Sequence, residues 1–273
     1  MKKKKWSLVY LFFVFAILYL PIFYLIFYAF NKGGDMNQFT GFTFDYFREF
    51  FADTRLLLIL CQTFLLAFLS ALIATVIGTL GAIGIYSLKK NRHKEAMLGL
   101  NNILLVSPDV IIGASFLILF TFLGWKLCFT SVLLSHIAFS IPIVVLMVLP
   151  KLNEMNHSMI DAARDLGANN FQILHKLVFP FLTSGIMAGY FMAFTYSLDD
   201  FAVTFFVTGN GFTTLSVEIY SRARRGVSLE INALSALVFL FSLFLVIGYY
   251  FINLDSHQNR LKQRKFKRRR LYR

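Results

Sequence analysis

Cysteine is almost absent from this 273-residue chain, and the two present, Cys61 and Cys128, both lie in apolar runs. No disulfide framework or metal-ligand spacing can be read from them, no metal site is expected, and both are expected to be small core residues. Acidic residues are also few, 14 against 27 Lys and Arg, and charge of both signs makes up only 15% of the chain. A soluble domain carries roughly 25%. No Gly-x-x-x-x-Gly-Lys-Ser/Thr loop occurs, so the sequence has no visible means of cradling nucleotide phosphates. No internal repeat and no low-complexity linker divides the chain, and one domain, 1–273, is the simplest account. What is plentiful is apolar: 58% hydrophobic residues, 33 Phe and a mean hydropathy of +0.66. That is more apolar surface than one aqueous core of this size can hide, so the membrane is the better solvent. The net charge of +13 sits in clusters between and beyond the apolar runs. This pattern fits anionic lipid headgroups and argues against nucleic acid as a partner.

A helix needs about 20 residues to cross a hydrocarbon core of about 30 Å. Six long stretches qualify: 6–31, 56–88, 96–125 interrupted by Asp109, 127–150, 177–206 interrupted by Asp199 and Asp200, and 231–254. Backbone polar groups in lipid must be satisfied within the segment, so each reads as a helix and the fold class is all-α and polytopic, with six transmembrane helices. The first stretch is too long for a signal-peptide core and lacks a small-x-small cleavage site, so it is expected to remain as an anchor. With both termini cytoplasmic, the inner side carries 20 Lys and Arg and the outer side 7. That bias sets the expected orientation. The basic tail, 255–273, reads as a cytoplasmic flank bound to anionic lipid.

The longest inner loop, 151–176, has a single Gly and no Pro, so it should be folded. Met159, Ala162, Ala163 and Leu166 fall at helical spacing and form an apolar stripe, with Asp161, Arg164 and Asp165 off it. Gly167 fits a left-handed helix stop, and Asn169 or Asn170 can cap a second short helix through Leu174 to Phe179. Asp161-Ala162-Ala163, three residues, Gly167, nine residues and Leu177-Val178-Phe179-Pro180 resemble the EAA loop of ABC importer permeases. The resemblance implies that the cytoplasmic loop, 151–180, holds a coupling helix seated in an ATPase cleft. Asp161, Ala162, Ala163, Gly167, Ala168 and Pro180 would then be its coupling residues, in a type I permease fold.

Charged groups at membrane depth are costly and mark a pathway or a site. Asp109 follows Ser107-Pro108 about 13 residues, or 20 Å, into the third stretch, where Pro interrupts the helix ladder. Asp199 and Asp200 lie together in the fifth, with Tyr196 one turn before them. Adjacent carboxylates beside an aromatic ring repel an anion and suit an amine, which carboxylates can pair with and ring faces can cover. Asp109, Tyr196, Asp199 and Asp200 are therefore the expected substrate pathway. His136, in the fourth stretch, is expected to be a hydrogen-bonded neutral imidazole.

Ser107-Pro108-Asp109, Ser135-His136, 161–168, Ser197-Leu198-Asp199-Asp200, Phe206-Val207-Thr208-Gly209, Ile219-Tyr220-Ser221 and 226–234 are similar to the C-type permeases of spermidine/putrescine ABC importers. The resemblance implies a non-enzymatic subunit of a polyamine importer, multi-pass in the plasma membrane of a prokaryote. It also implies a second permease, two cytoplasmic ATPase subunits that bind the ATP, and an extracellular polyamine-binding protein. No cofactor is expected on this chain. A permease for another cation such as Fe(III) is the alternative reading, and an intramembrane aspartyl protease a remote one, since the settings such a protease needs around its two Asp are missing.

Overall fold

The computed structural model describes residues 2–33, 36–88, 90–209, 211–225, 231–240 and 243. The basic tail, 255–273, most of the second half of the sixth apolar stretch and residues 226–230 of the resemblance lie outside the described residues. The described part is helical throughout apart from loops and turns. Its elements are α1 (Lys2–Tyr28), α2 (Asp45–Ala52), α3 (Thr54–Ser87), α4 (Asn91–Val106), α5 (Asp109–Phe122), α6 (Phe129–Asn153), α7 (His157–Asp165), α8 (Asn170–Ile173), α9 (Phe179–Asp199), α10 (Ala202–Val207), α11 (Leu215–Arg225) and α12 (Ile231–Leu240). Among the described residues, four helical runs are long and apolar enough to cross a membrane: Val9–Tyr28, Thr54–Ser87, Phe129–Asn153 and Asn170–Asp199.

Two of the six expected spans are broken. The third is two helices, α4 and α5, bent by 102°. The break falls at Ser107 and Pro108, both extended (ψ 135° and 134°), because Pro offers no N–H and the residue before it avoids the helical region. Counted as one span, the pair brings the total to five, and α12 is the described part of the sixth. The fifth breaks at Asp200 (φ −60°, ψ 126°), with α9 before it and α10 after, although neither Pro nor Gly stands there.

The described residues fall into two compact units, 1–54 with 222–273, and 55–221. In the first, Asn31 is fully buried and organises the loop after α1, its amide donating to Gln38 O (2.8 Å) and its Oδ1 accepting from Thr40 N (2.9 Å). Ala29, Ala233 and Ala236 form its small core under Phe30, Tyr46 and Phe47. In the second, α3, α6 and α9 pack through small residues. Val144 sits between two glycines: a Cβ on Gly78 would fall 2.7 Å from Val144 Cβ, and one on Gly189 would fall 3.2 Å from Val144 Cγ1. A second cluster, Leu66, Ile112, Phe120, Val132, Phe139, Val203 and Val207, ties α5 and α10 to α3 and α6. Glu218 is buried and accepts from Arg55 at 3.1 Å, linking α11 to the start of α3.

The inner loop is folded, with one change to the expected plan. Asn156 caps α7 by accepting from Ser158 N (3.0 Å), and the helix ends at Gly167 with φ +80°. The Gly167 N–H donates to Arg164 O (2.8 Å) and the Ala168 N–H to Ala163 O (3.0 Å), the two bonds of a Schellman end. Asn169 then caps α8, accepting from Gln172 N (2.8 Å) while Gln172 accepts from Asn169 N (3.0 Å). The expected second short helix is not separate. It runs through one wide turn, Leu174–Val178, straight into α9, and Pro180 falls just after that turn, at the place where the helix ladder is already irregular. The expected apolar stripe also divides. Ile160 and Ala163 pack on the α3–α6–α9 core, whereas Met159, Ala162 and Leu166 stay exposed, Leu166 at 89%. The inward face of α7 is centred on the i, i+3 pair Ile160 and Ala163, so residues one position away point outward.

Candidate functional site: carboxylates at two helix breaks

The two breaks bring the intramembrane carboxylates into one region. Asp109 is the first residue of α5, set there by Pro108, and the Tyr196 hydroxyl of α9 donates to its Oδ1 at 2.7 Å. Tyr196 is held in turn by an edge-on contact with Phe139 of α6 (4.9 Å between ring centres). A tyrosine expected only to share a helix side with Asp199 and Asp200 thus joins two spans, 87 residues apart in sequence.

The adjacent pair is split. Asp199, the last residue of α9, is exposed, and no side chain among the described residues donates to it. Asp200 is turned inward, 9% exposed, and its carboxylate closes the first turn of α10, accepting from Val203 N (3.3 Å), Thr204 N (2.9 Å) and Thr204 Oγ1 (2.7 Å). One of the two expected pathway carboxylates is therefore also a helix cap, and its oxygens are committed to the chain's own N–H and O–H groups.

Sequence reasoning missed what lies behind Asp200. His136 of α6 is fully buried, with Nδ1 2.7 Å from Ser197 Oγ and Nε2 2.9 Å from Thr204 Oγ1, and Ser70 of α3 lies 2.9 Å from Ser197 Oγ. Thr204 donates its only hydroxyl proton to Asp200, so it accepts from His136 Nε2–H; in the neutral ring Nδ1 then accepts from Ser197. The hydrogen-bonded imidazole expected at position 136 is there, and its partners are Ser197 and Thr204. The available signal was the set of hydroxyl residues inside charge-free windows, which in lipid bond either back to their own helix or across to a neighbour.

Comparison with known proteins decides the family. Residues 74–255 match the family described as binding-protein-dependent transport system inner membrane components. The chain belongs to that family. Spermidine/putrescine transport system permease protein PotC of Escherichia coli K12 is 37% identical over 243 residues, covering 89% of this chain and 92% of that protein. PotC of Haemophilus influenzae is 35% identical over 238 residues (87% and 92%), and the E. coli K12 putrescine transport system permease PotI 31% over 242 (86% of each). A bacterial ABC transporter that imports alginate superposes with a TM-score of 0.71 at 15% identity, over 90% of this chain and 94% of that one. The MetNI methionine ABC transporter gives 0.61 at 18%, over 74% and 98%. These structures share the fold of an ABC importer permease, which is the expected all-α, polytopic architecture. Family membership makes the chain a membrane-embedded transport component, implies an ATPase and a substrate-binding protein as partners, and does not favour a protease.

Proposed function

We propose that the chain is one membrane-spanning subunit of an ATP-driven polyamine importer, in which Asp109, Tyr196, Asp199 and Asp200 build the substrate pathway. The observation that carries this reading is the exposed Asp199 carboxylate at the C-terminal end of α9, beside the Tyr196–Asp109 pair. A helix C-terminus presents carbonyl oxygens and partial negative charge, and a carboxylate added there attracts a cation and repels an anion. An exposed carboxylate at membrane depth also demands a polar environment beyond this chain, which a second permease enclosing a shared cavity supplies. Asp200, buried against His136, contributes by fixing the break; Asp109 and Tyr196 offer a carboxylate and a ring face to the methylene-spaced ammonium groups of spermidine or putrescine, the substrates named for PotC.

The remaining partners follow from the same reading. The exposed side of α7, with Asp161, Ala162 and Leu166, is the surface offered to one of two cytoplasmic ATPase subunits, which bind the ATP. Ala163, Gly167, Ala168 and Pro180 hold that surface in place. An extracellular polyamine-binding protein delivers substrate, and both termini are cytoplasmic, their basic residues against anionic lipid.

The test is uptake of labelled putrescine and spermidine by the complete complex, co-expressed with its partner subunits in a host lacking polyamine uptake. Asp199→Asn removes charge and keeps size, and should lower uptake at limiting substrate by about tenfold to a hundredfold at unchanged membrane level, the worth of one charge-assisted contact. Unaltered uptake in both Asp199→Asn and Asp109→Asn, or import of a different solute by the unaltered complex, would overturn the reading.

A further inference from the structure

The break between α9 and α10 occurs where the sequence contains neither Pro nor Gly, so something other than local backbone preference holds it open. The imidazole of His136 reaches both sides of that break. Its Nδ1 meets Ser197 on the last turn of α9, and its Nε2 meets Thr204 on α10, at 2.7 and 2.9 Å. A planar ring fixes the separation of its two nitrogens, so these contacts fix the separation of the two half-helices. The Thr204 hydroxyl then passes the restraint to Asp200 Oδ2 (2.7 Å), and His136 Nε2 itself lies 3.5 Å from the same oxygen. His136, Ser70 and Thr204 are fully buried and Ser197 is 1% exposed, so none of the four reaches a solute in the pathway.

We propose that His136 and Thr204 are positioning residues for substrate binding: they pin Asp200 inward across the helix break and thereby aim the neighbouring Asp199 carboxylate outward. This rests on the proposed polyamine pathway. Because the backbone turns at Asp200, the rotation that buries one carboxylate exposes the next. Without the hydroxyl bridge, Asp200 keeps its two backbone N–H donors but loses its shortest contact, and one restraint on the orientation of α10 relative to α9 is lost. The Asp199 carboxylate then samples directions that do not face the substrate. Fewer competent molecules at a given moment raise the apparent KM without changing the turnover of those that are loaded.

The experiment uses the whole complex in membranes. Thr204→Val keeps the volume and deletes the hydroxyl; Thr204→Ser keeps the hydroxyl. Thr204→Val should raise the KM for putrescine about tenfold while Vmax per assembled complex stays within about twofold, and Thr204→Ser should restore KM. In parallel, Asp199→Cys is placed in a background with Cys61→Ser and Cys128→Ser, and its labelling by an impermeant cationic thiol reagent is timed with and without Thr204→Val. Adding Thr204→Val should change the labelling rate. Unaltered putrescine uptake in both Asp199→Asn and Asp109→Asn refutes the pathway. An unchanged labelling rate together with an unchanged KM in Thr204→Val refutes the positioning inference. If Thr204→Val does not accumulate, His136→Gln, which retains a donor for Thr204 and loses the Ser197 contact, decides by the same two measurements.

Discussion

Gly167 ends α7 at φ +80°, and nothing lies within 4 Å of where its Cβ would stand. A substitution there meets no steric wall, so its whole cost is the left-handed backbone. Alanine in that region costs about 1–2 kcal/mol and a β-branched residue about 2–3, while Asn, which tolerates φ above zero, costs least. Two bonds depend on that φ, Gly167 N to Arg164 O and Ala168 N to Ala163 O, and so does the seating of Ala168 and Ala163 on the core below. If the corner must be formed for the ATPase to dock, the penalty appears as a smaller competent fraction. Apparent affinity then falls by up to about 30-fold for Gly167→Ala and about 150-fold for Gly167→Val. The assay is co-purification of the ATPase from membranes together with substrate-stimulated ATP hydrolysis and uptake. The expected order is Gly, then Asn, then Ala, then Val, with binding and uptake declining together. Wild-type coupling in Gly167→Val, or Asn performing worse than Val, would refute the assignment of a conformational role to this corner.

Gly209 presents the opposite case. A Cβ on it would run into the Leu127 carbonyl, so Gly209→Ala must shift backbone and should lower the membrane level of folded protein several-fold, an overpacking cost of about 1–3 kcal/mol. Gly84→Ala, inside α3 with nothing within 4 Å of the new Cβ, should leave that level near normal, and equal levels for the two variants would contradict the packing described. For orientation, reporter fusions after Lys90 and after Asn169 should read cytoplasmic and fusions near Asp45 and Arg224 external. Reversed readings at either pair would invalidate the charge-based topology.

Several features were legible because they depend on local chemistry. Pro108 announces the break in the third span, Gly167 its left-handed stop and Asn169 its cap, each through a backbone property written in one residue. The partition of Asp199 and Asp200 was not legible, since two identical neighbours differ only in what the fold presents to them. Thr204 and His136 lie 68 residues apart, and Ser70 and Ser197 lie 127 apart. Nothing in helical spacing encodes which hydroxyl in one span meets which ring in another. The apolar stripe on α7 was mis-phased for a related reason. Ala162 and Ala163 are both small enough to lie on either side, and only the packing of Ile160 beneath the loop decides which turns inward.

The placement of the carboxylates on their helices bears on selectivity more than their number does. Asp109 stands at the N-terminus of α5, and Asp200 takes up the first N–H groups of α10. Free helix N-termini attract anions; at α10 the Asp200 carboxylate already occupies that place, and at α5 the Asp109 carboxylate stands in the first turn, where its charge opposes an anion. Asp199 stands at the other kind of end, where the last carbonyls of α9 add to its charge. On the proposed pathway an anionic solute meets an exposed carboxylate and the carbonyls behind it, whereas a cationic solute finds in these, and in the Tyr196–Asp109 pair, groups it can pair with. The helix breaks thus do two separable things: they give Asp109 and Asp200 internal partners, and they leave Asp199 without a side-chain donor among the described residues, open to the cation that the proposed function brings to it.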